Sequence, residues 1–333
     1  MANKTNKKRP QRGRPAAPRS AAAGKSRSGG HPGRQQPRAV VAAAGASDWI
    51  AAARIRTLPV AVAPVALGTA AALVYTPGEV HWVRALLCLA VALCLQIGVN
   101  YANDYSDGIR GTDAHRIGPA RLTASGAAKP RAVLAVALAF FALAAAAGAT
   151  VVVTSGFYWL LVVGAACVAA AWFYTGGKHP YGYYGLGEVF VFVFFGLVAT
   201  AGTTYVQVGT VTIESWLAGA AAGSLACAVL MVNNLRDLEQ DALARKRTLA
   251  VLLGAKLSRI LFGIFMTIPF LILIFFAVFY LNAPLVYFAL LLAVPAALIV
   301  ATGKTAPEFM LALRLTSLTV LVFGLGLAAA IAF

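Results

Sequence analysis

The sequence predicts an all-α membrane protein, and three features of its composition and patterning lead to that fold class. Hydrophobic residues make up 60% of the 333 residues and charged residues only 12%, about half the charged share of a typical soluble domain. Apolar runs of about 18 to 25 residues recur from Leu58 to Phe333, each long enough to cross a bilayer as a helix. These runs are apolar on every face, whereas the strands of a membrane β-barrel alternate apolar and polar residues. This composition excludes a soluble globular protein, and the pattern of the runs disfavours a membrane β-barrel.

The chain begins with a basic tail. Residues 1–46 carry eleven Lys and Arg residues, no acidic residue, and many Pro, Gly, Ala and Ser residues. This composition lacks the apolar content of a packed core or of a signal peptide, so we expect a disordered cytoplasmic tail outside the fold. A basic segment beside a membrane domain attracts anionic lipid. We therefore expect membrane lipid, and no nucleic acid, as a partner.

Residues 47–333 are expected to form one nine-helix domain. Ser47 and Asp48 predict the start of a short interfacial helix that ends near Arg54 and Arg56. The Phe residues of 190–195 are expected to face lipid or to pack in the core. The nine expected spans are 58–75, 83–100, 132–153, 157–174, 186–206, 215–233, 257–280, 284–302 and 309–331.

The distribution of basic residues predicts the orientation. Thirteen Lys and Arg residues fall in the connections on one side of the membrane, and only Arg84 falls on the other. Positive charge marks the cytoplasmic side, so we expect a multi-pass protein of the cell (inner or plasma) membrane with a cytoplasmic N-terminus. The connections at 101–131 and 234–256 are long, polar and cytoplasmic in this arrangement. We therefore expect the functional site on the cytoplasmic side.

Acidic residues are scarce and clustered. Six of the eleven lie in two stretches, which follow the second and sixth spans. If those helices continue, Asp104 and Asp107 share one face at i, i+3, and Asn233, Asp237 and Asp241 share one face at i, i+4 and i+8. Two facing carboxylates 4 Å apart repel by about 4 kcal/mol at an effective dielectric of 20, so we expect a cation between them. Carboxylate and amide oxygens favour a hard ion such as Mg²⁺, which commonly joins carboxylates to substrate phosphates.

The expected substrate therefore carries a diphosphate, and basic residues beside the acids are expected to neutralise the rest of its charge. The candidates are Arg110, Arg121, Lys246 and Arg247, since guanidinium groups can bind phosphate bidentately. A water-soluble diphosphate would not need an apolar helical housing, so we expect a lipid-soluble tail, as in a polyprenyl diphosphate. Mg²⁺ would stabilise the leaving diphosphate as the allylic C–O bond breaks.

The two acidic stretches resemble the Asp-rich motifs of the UbiA-type intramembrane prenyltransferase superfamily. The motifs read Asn103-Asp104-Tyr-Ser-Asp107 and Asn233-Asn-Leu-Arg-Asp237-Leu-Glu-Gln-Asp241. The resemblance covers about residues 48–333, and it implies nine helices around a central cavity open to lipid. It also implies that the four catalytic carboxylates hold Mg²⁺ with help from two amides; these residues are Asp104, Asp107, Asp237, Asp241, Asn103 and Asn233.

The first motif departs from the superfamily pattern at one position. The superfamily's third Asp is replaced here by Gly111, and Asp113 follows two residues later. The resemblance leaves two roles open for Asp113, a metal ligand or a structural partner of Arg116 or Arg121.

Three further segments resemble the branch of this superfamily that prenylates 1,4-dihydroxy-2-naphthoate in menaquinone synthesis. They are Arg116–Gly126, Tyr174–Gly177 together with Gly185–Glu188, and Lys246–Leu249. The resemblance implies transfer of a polyprenyl group to this acceptor with loss of CO₂ and diphosphate, giving demethylmenaquinone. The residues expected at the acceptor site are Tyr174, Thr175, Gly177, Lys178 and Glu188.

Other functions stay open on the sequence alone. The same fold can use another acceptor, such as 4-hydroxybenzoate or another aromatic compound, or can transfer a phosphoribosyl group to a lipid phosphate. An ion-coupled transporter also binds cations through acids, but its sites usually lie near the membrane midplane on broken helices. The acids of this chain lie at helix ends instead, which favours the enzyme. A membrane anchor for a nucleic-acid-binding tail is the third alternative, and deletion of the tail would test it.

Overall fold

A computed structural model describes residues 42–112 and 121–333, and this part of the chain is almost entirely helical. The tail up to residue 41, Asp113 and Arg116 lie outside the described residues. Short 3₁₀ turns occur at Ile55–Thr57 and Tyr181–Tyr183. The helices are α1 (Ala46–Ala52), α2 (Pro59–Tyr75), α3 (Trp82–Arg110), α4 (Pro130–Ser155), α5 (Leu160–Phe173), α6 (Gly187–Val208), α7 (Ile213–Arg236), α8 (Leu238–Leu243), α9 (Leu249–Phe279), α10 (Ala283–Thr302) and α11 (Ala306–Ala332).

The described helices form a multi-pass membrane protein, as predicted. Seven of them, α3, α4, α6, α7, α9, α10 and α11, are long and apolar enough to cross a membrane. The segment containing α1 meets α2 at a bend of 48°, and this bent pair would make an eighth span. The 14 residues of α5 extend about 21 Å at 1.5 Å per residue, less than the hydrocarbon core of about 30 Å. Each predicted span thus corresponds to a helix, but nine membrane crossings are not confirmed.

Two apolar clusters hold the helices together. The larger joins α2, α7, α9, α10 and α11 and buries Phe262, Phe276 and Phe323 almost completely. The smaller joins α1, α3, α4 and α5 around Tyr101 and Phe141. Large aromatic side chains fill these clusters, and Ala and Gly residues let the helices approach closely between them.

Helix α6 contains a π-helical segment, Phe192–Val198, that packs backbone to backbone on α7. A Cβ atom at Gly196 would lie 2.5 Å from the Gly223 Cα and 2.6 Å from the Gly219 carbonyl oxygen. Single wide turns of this kind are frequent at functional sites. In α6 the wide turn lies beside the cavity described below.

Candidate active site

A cavity of about 820 Å³ lies between α2, α3, α4, α5, α6 and α7. Its polar end is formed by the two acidic stretches, and the remainder of its wall is mostly apolar. Asp107 at the polar end and Cys88 at the apolar end both belong to α3, and their separation of nineteen positions along the helix corresponds to about 28 Å. The wall therefore extends over nearly the full thickness of a hydrocarbon core of about 30 Å.

The first acidic stretch lies on one face of α3, as its spacing predicts, because the helix continues to Arg110. Asp104 and Asp107 both line the cavity and are only 1% exposed. One carboxylate oxygen of Asp107 accepts a hydrogen bond of 2.6 Å from the Tyr183 hydroxyl. The other lies 3.8 Å from a guanidinium nitrogen of Arg121. Asp107 is therefore surrounded by side chains that donate hydrogen bonds or carry positive charge.

The second acidic stretch is interrupted by a helix end, so the helix of the sixth span does not continue unbroken through Asp241. Helix α7 ends at Arg236, and α8 begins at Leu238. The backbone nevertheless keeps the i, i+4 spacing: Asp237 N–H donates to the Asn233 carbonyl at 3.2 Å, and Asp241 N–H donates to the Asp237 carbonyl at 2.8 Å. Asn233, Asp237 and Asp241 consequently line the same cavity wall.

Lys246 supplies positive charge between the two acidic stretches. Its Nζ lies 3.3 Å from Asp107 Oδ2 and 3.9 Å from Asp241 Oδ1. Burial opposes the charged form, but the carboxylates of Asp107 and Asp241 outweigh burial and raise the pKa of Lys246 above its usual value. Burial, reinforced by the Asp107 carboxylate, raises the pKa of Tyr183 to about 12. At neutral pH Lys246 is therefore cationic, and Tyr183 is a neutral hydrogen-bond donor.

Three arginines at the polar end are site residues that the sequence reasoning missed. Arg236 binds its neighbour Asp237 through two hydrogen bonds of 2.7 and 2.6 Å. Arg54 and Arg56, expected only at an interfacial helix, also line the cavity. Arg54 has the left-handed backbone angle φ 55° at the break between α1 and α2. Arg236 was detectable as part of the second acidic motif, but nothing in the sequence places the other two there.

Aromatic side chains of α6 also line the cavity, in addition to packing. Phe190, Phe194 and Phe195 belong to its wall. Phe190 stacks on Tyr181 with a centroid distance of 3.9 Å, and Phe194 follows at 6.0 Å. The sequence gives no signal for this placement, because a Phe that faces lipid and a Phe that faces an apolar cavity have the same local pattern.

Several predicted acceptor and amide residues lie in or directly behind the wall. Asn103 and Tyr174 line the cavity. Thr175 is buried, and its hydroxyl donates to Asn103 Oδ1 at 2.7 Å. Glu188 is buried, and one of its oxygens accepts a 3.0 Å hydrogen bond from Asn234, which lines the wall. The structure thus brings these residues to one side of the polar end.

Four predicted site residues are exposed outside the cavity wall, namely Arg110, Gly177, Lys178 and Arg247. The structure therefore does not bring Lys178 to an acceptor carboxylate or Arg247 to a diphosphate in the cavity. The Gly177 carbonyl accepts a hydrogen bond from Arg110, which also donates to the Thr175 carbonyl. Gly177 has φ 75°, a backbone angle that glycine adopts readily. Its role is therefore to allow the turn that follows α5.

The donor groups at the polar end fit a hard cation by their chemistry. They are carboxylate and amide oxygens, which Mg²⁺ prefers. Within residues 42–112 and 121–333, no three Asp, Glu, His or Cys side chains come together as a ready metal site. Lys246 and Arg236 neutralise Asp107, Asp241 and Asp237 instead. The residues therefore fit Mg²⁺ in type, and loading the ion requires these cationic groups to give up contacts with the carboxylates.

Comparison with known proteins identifies close sequence relatives. The sequence profile of the UbiA prenyltransferase family matches residues 61–308. The chain is 47% identical over 294 residues to the 1,4-dihydroxy-2-naphthoate octaprenyltransferase of Mycobacterium tuberculosis, covering 86% of this chain and 97% of that protein. It is 44% identical to the Mycobacterium leprae protein of the same name, covering 86% of this chain and 96% of that protein.

The fold also matches a solved structure. A UbiA homolog from Archaeoglobus fulgidus, determined with GPP and Mg²⁺ bound, superimposes with a TM-score of 0.58 over 85% of this chain and 99% of the other. The two sequences are 15% identical, so this likeness concerns the fold alone.

Proposed function

Because this chain belongs to the UbiA prenyltransferase family, we propose that it transfers a polyprenyl group from its diphosphate to 1,4-dihydroxy-2-naphthoate. The products are the reduced, 1,4-dihydroxy form of demethylmenaquinone, CO₂ and diphosphate, as in menaquinone biosynthesis. The observation that carries this proposal is the cavity, which joins an acidic and basic polar end to a long apolar wall. The relatives that share 44% and 47% identity with the chain support the naphthoate as acceptor.

We place the diphosphate at the polar end of the cavity. Asp107, Asp237 and Asp241, with the amide oxygens of Asn103 and Asn233, would hold Mg²⁺ there. When bound, the ion neutralises the leaving diphosphate. The cations of the cavity wall that can take the remaining phosphate charge are Lys246, Arg121, Arg54, Arg56 and Arg236. The ion and the prenyl diphosphate bound to the Archaeoglobus fulgidus homolog support this placement.

The prenyl chain would lie along the apolar wall, and the acceptor would enter beside Tyr174. The electron-rich ring attacks the allylic carbon, and the C–O bond breaks with its electron pair moving to the diphosphate. The electron pair of the bond to the carboxylate returns to the ring as CO₂ leaves. The chain's contribution is to hold the two reactants in line and to exclude water from the allylic centre.

An assay with purified protein and labelled prenyl diphosphate tests the acceptor. We expect 1,4-dihydroxy-2-naphthoate to yield labelled demethylmenaquinone in its reduced, 1,4-dihydroxy form, which air oxidises to the quinone during extraction, with release of CO₂. We expect 4-hydroxybenzoate to react at least about tenfold more slowly, because a slot for a bicyclic ring leaves a single ring poorly held. Equal turnover of both acceptors, or a product that keeps its carboxylate, would contradict the assignment.

We also propose that the polar end faces the cytoplasm, as the charge distribution predicts. Lys178 and Glu79 are exposed and lie in connections predicted on opposite sides of the membrane. In a variant without the four native cysteines, Glu79→Cys should react with an impermeant thiol reagent on intact cells. Lys178→Cys should react only after permeabilisation. Labelling in the reverse order would invert the orientation.

The basic tail is proposed to be dispensable for prenyl transfer. Ala44 N–H donates to the Ala127 carbonyl at 2.9 Å, so residues after 41 already contact the helical domain, and a deletion that keeps this contact ends at residue 41. A protein that starts at residue 42 should keep its turnover, since residues 1–41 contain neither acids for a metal nor apolar segments for the cavity. Loss of turnover in a folded, membrane-inserted deletion would contradict this.

A further inference from the structure

Building on the proposed function, we propose that Asp104 is a positioning residue that anchors the loop 121–126 beside the diphosphate, and is not a metal ligand. The other three motif aspartates keep the role of holding the ion. Asp104 therefore acts on the substrate through the loop, and in particular through Arg121.

Both carboxylate oxygens of Asp104 are engaged by the backbone of this loop. The N–H of Leu122 donates to Oδ2 at 3.0 Å, and the N–H of Thr123 donates to Oδ1 at 2.9 Å. Asp104 is 1% exposed. Hydrogen bonds from backbone N–H groups to a buried carboxylate are charge-assisted and strong, so this pair fixes the loop on α3.

A second feature of α3 shows that the loop is seated there. Gly108 lies one helical turn after Asp104, and a Cβ atom at this position would come within 2.4 Å of the Thr123 side chain. The absence of a side chain at Gly108 thus makes room for the loop that Asp104 holds. Leu122, 3% exposed, completes the attachment by packing in the smaller apolar cluster.

The loop places the guanidinium group of Arg121 at the polar end of the cavity. Arg121 directly precedes the two anchored N–H groups, lines the cavity and is 3.8 Å from Asp107. The Ser125 N–H donates to the Arg121 carbonyl at 3.0 Å, so the backbone of Arg121 is tied into the same turn. Movement of the loop would therefore move a phosphate-binding guanidinium.

Asp104 and Asp107 differ in the contacts that each carboxylate would give up in order to bind an ion. The side chains of Tyr183, Lys246 and Arg121 contact Asp107, and these side chains can rotate to other acceptors. The partners of Asp104 are backbone donors, and withdrawing the carboxylate would leave two N–H groups without acceptors at a buried site. This difference assigns Asp107 to the ion and Asp104 to the loop.

Hydrogen exchange on the metal-free protein tests the anchor without requiring activity. In the wild type, the amides of Leu122 and Thr123 should be protected. In Asp104→Asn, one side-chain oxygen is replaced by a donor, so at least one of these amides should exchange about tenfold faster or more. Asp107→Asn is the matched control and should leave both amides protected. Unprotected amides in the wild type, or unchanged exchange in Asp104→Asn, would overturn the anchor.

Mn²⁺ binding, followed by electron paramagnetic resonance, tests the assignment of the ligands. Asp104→Asn should bind Mn²⁺ as the wild type does, whereas Asp107→Asn should bind it about tenfold more weakly or worse. Equal losses in the two variants would make Asp104 a ligand and overturn the proposal. If the wild type binds no Mn²⁺, the metal part of the proposed function fails, and the exchange experiment still decides the anchor.

A steric variant keeps the proposal testable if Asp104→Asn does not fold. Gly108→Ala places a methyl group against Thr123 and should displace the loop while leaving every carboxylate in place. We expect faster exchange at Leu122 and Thr123, a raised KM for prenyl diphosphate and unchanged Mn²⁺ affinity. Unchanged exchange and KM in Gly108→Ala would show that the loop is not held in this way.

Discussion

Replacing Asp107 with asparagine is expected to lower prenyl transfer at least about a hundredfold, which corresponds to about 2.7 kcal/mol of activation free energy. Asp107 is 1% exposed at the polar end of the cavity, where it meets Tyr183 and Lys246. A neutral amide removes one of the charges that hold Mg²⁺ against the leaving diphosphate. Asp237→Asn and Asp241→Asn should cause losses of the same order.

Turnover of labelled prenyl diphosphate at saturating Mg²⁺ measures this effect, and excess EDTA should abolish the wild-type reaction. Glu239 provides a matched control, because it lies in the same acidic stretch but is exposed and outside the cavity wall. Glu239→Gln should keep nearly full activity. Full activity in EDTA, or a loss in Glu239→Gln as large as in Asp107→Asn, would refute the metal assignment.

Adding a single methyl group at Gly196 is expected to separate α6 from α7 and to destabilise the protein by about 3 kcal/mol or more, at the upper end of overpacking effects. The new Cβ would meet only backbone, 2.5 Å from the Gly223 Cα and 2.6 Å from the Gly219 carbonyl oxygen. Backbone atoms cannot rotate away as a flexible side chain can. Phe194 and Phe195, which directly precede Gly196 and belong to the cavity wall, should be displaced together with this part of α6.

The melting temperature of the detergent-solubilised protein measures this effect. Gly263→Ala on α9 is the control, because no atom lies within 4 Å of its added Cβ. It should leave the melting temperature unchanged or raise it slightly, since alanine favours a helix over glycine by up to about 1 kcal/mol. Similar melting temperatures for Gly196→Ala and the wild type would show that the two helices do not depend on this contact.

The sequence alone predicted the features that depend on local patterns. Uninterrupted apolar runs determine where helices form, because buried backbone groups in a membrane must bond within their own segment. The i, i+3 spacing of Asp104 and Asp107 placed both on one face of α3, because helix geometry is local. The two Asp-rich motifs were enough to indicate the family that the profile match then showed.

Sequence spacing was less informative where a helix ends or a long connection folds back. The second acidic stretch keeps its i, i+4 backbone bonds although the helix breaks at Asp237. Lys178 and Arg247 lie beside predicted site motifs in the sequence, yet both are exposed outside the cavity wall. Proximity along the chain therefore identified Arg121 and Lys246 at the polar end, but it misplaced Lys178 and Arg247 and gave no sign of Arg54 or Arg56.

The local sequence pattern fixes the set of helices and the faces that carry the acidic residues. The tertiary structure fixes which side chains from distant segments come into contact at the polar end. Lys246 reaches Asp107 across 139 positions of sequence, and Asp104 is bonded by a loop that follows α3. Arg54 and Phe194 enter the cavity wall from segments that read as ordinary membrane helix or interface. The physical reason is that lipid is as apolar as the protein interior. The hydrophobic pattern therefore does not mark the face of each helix that turns toward the cavity, and only the packing of distant helices sets it.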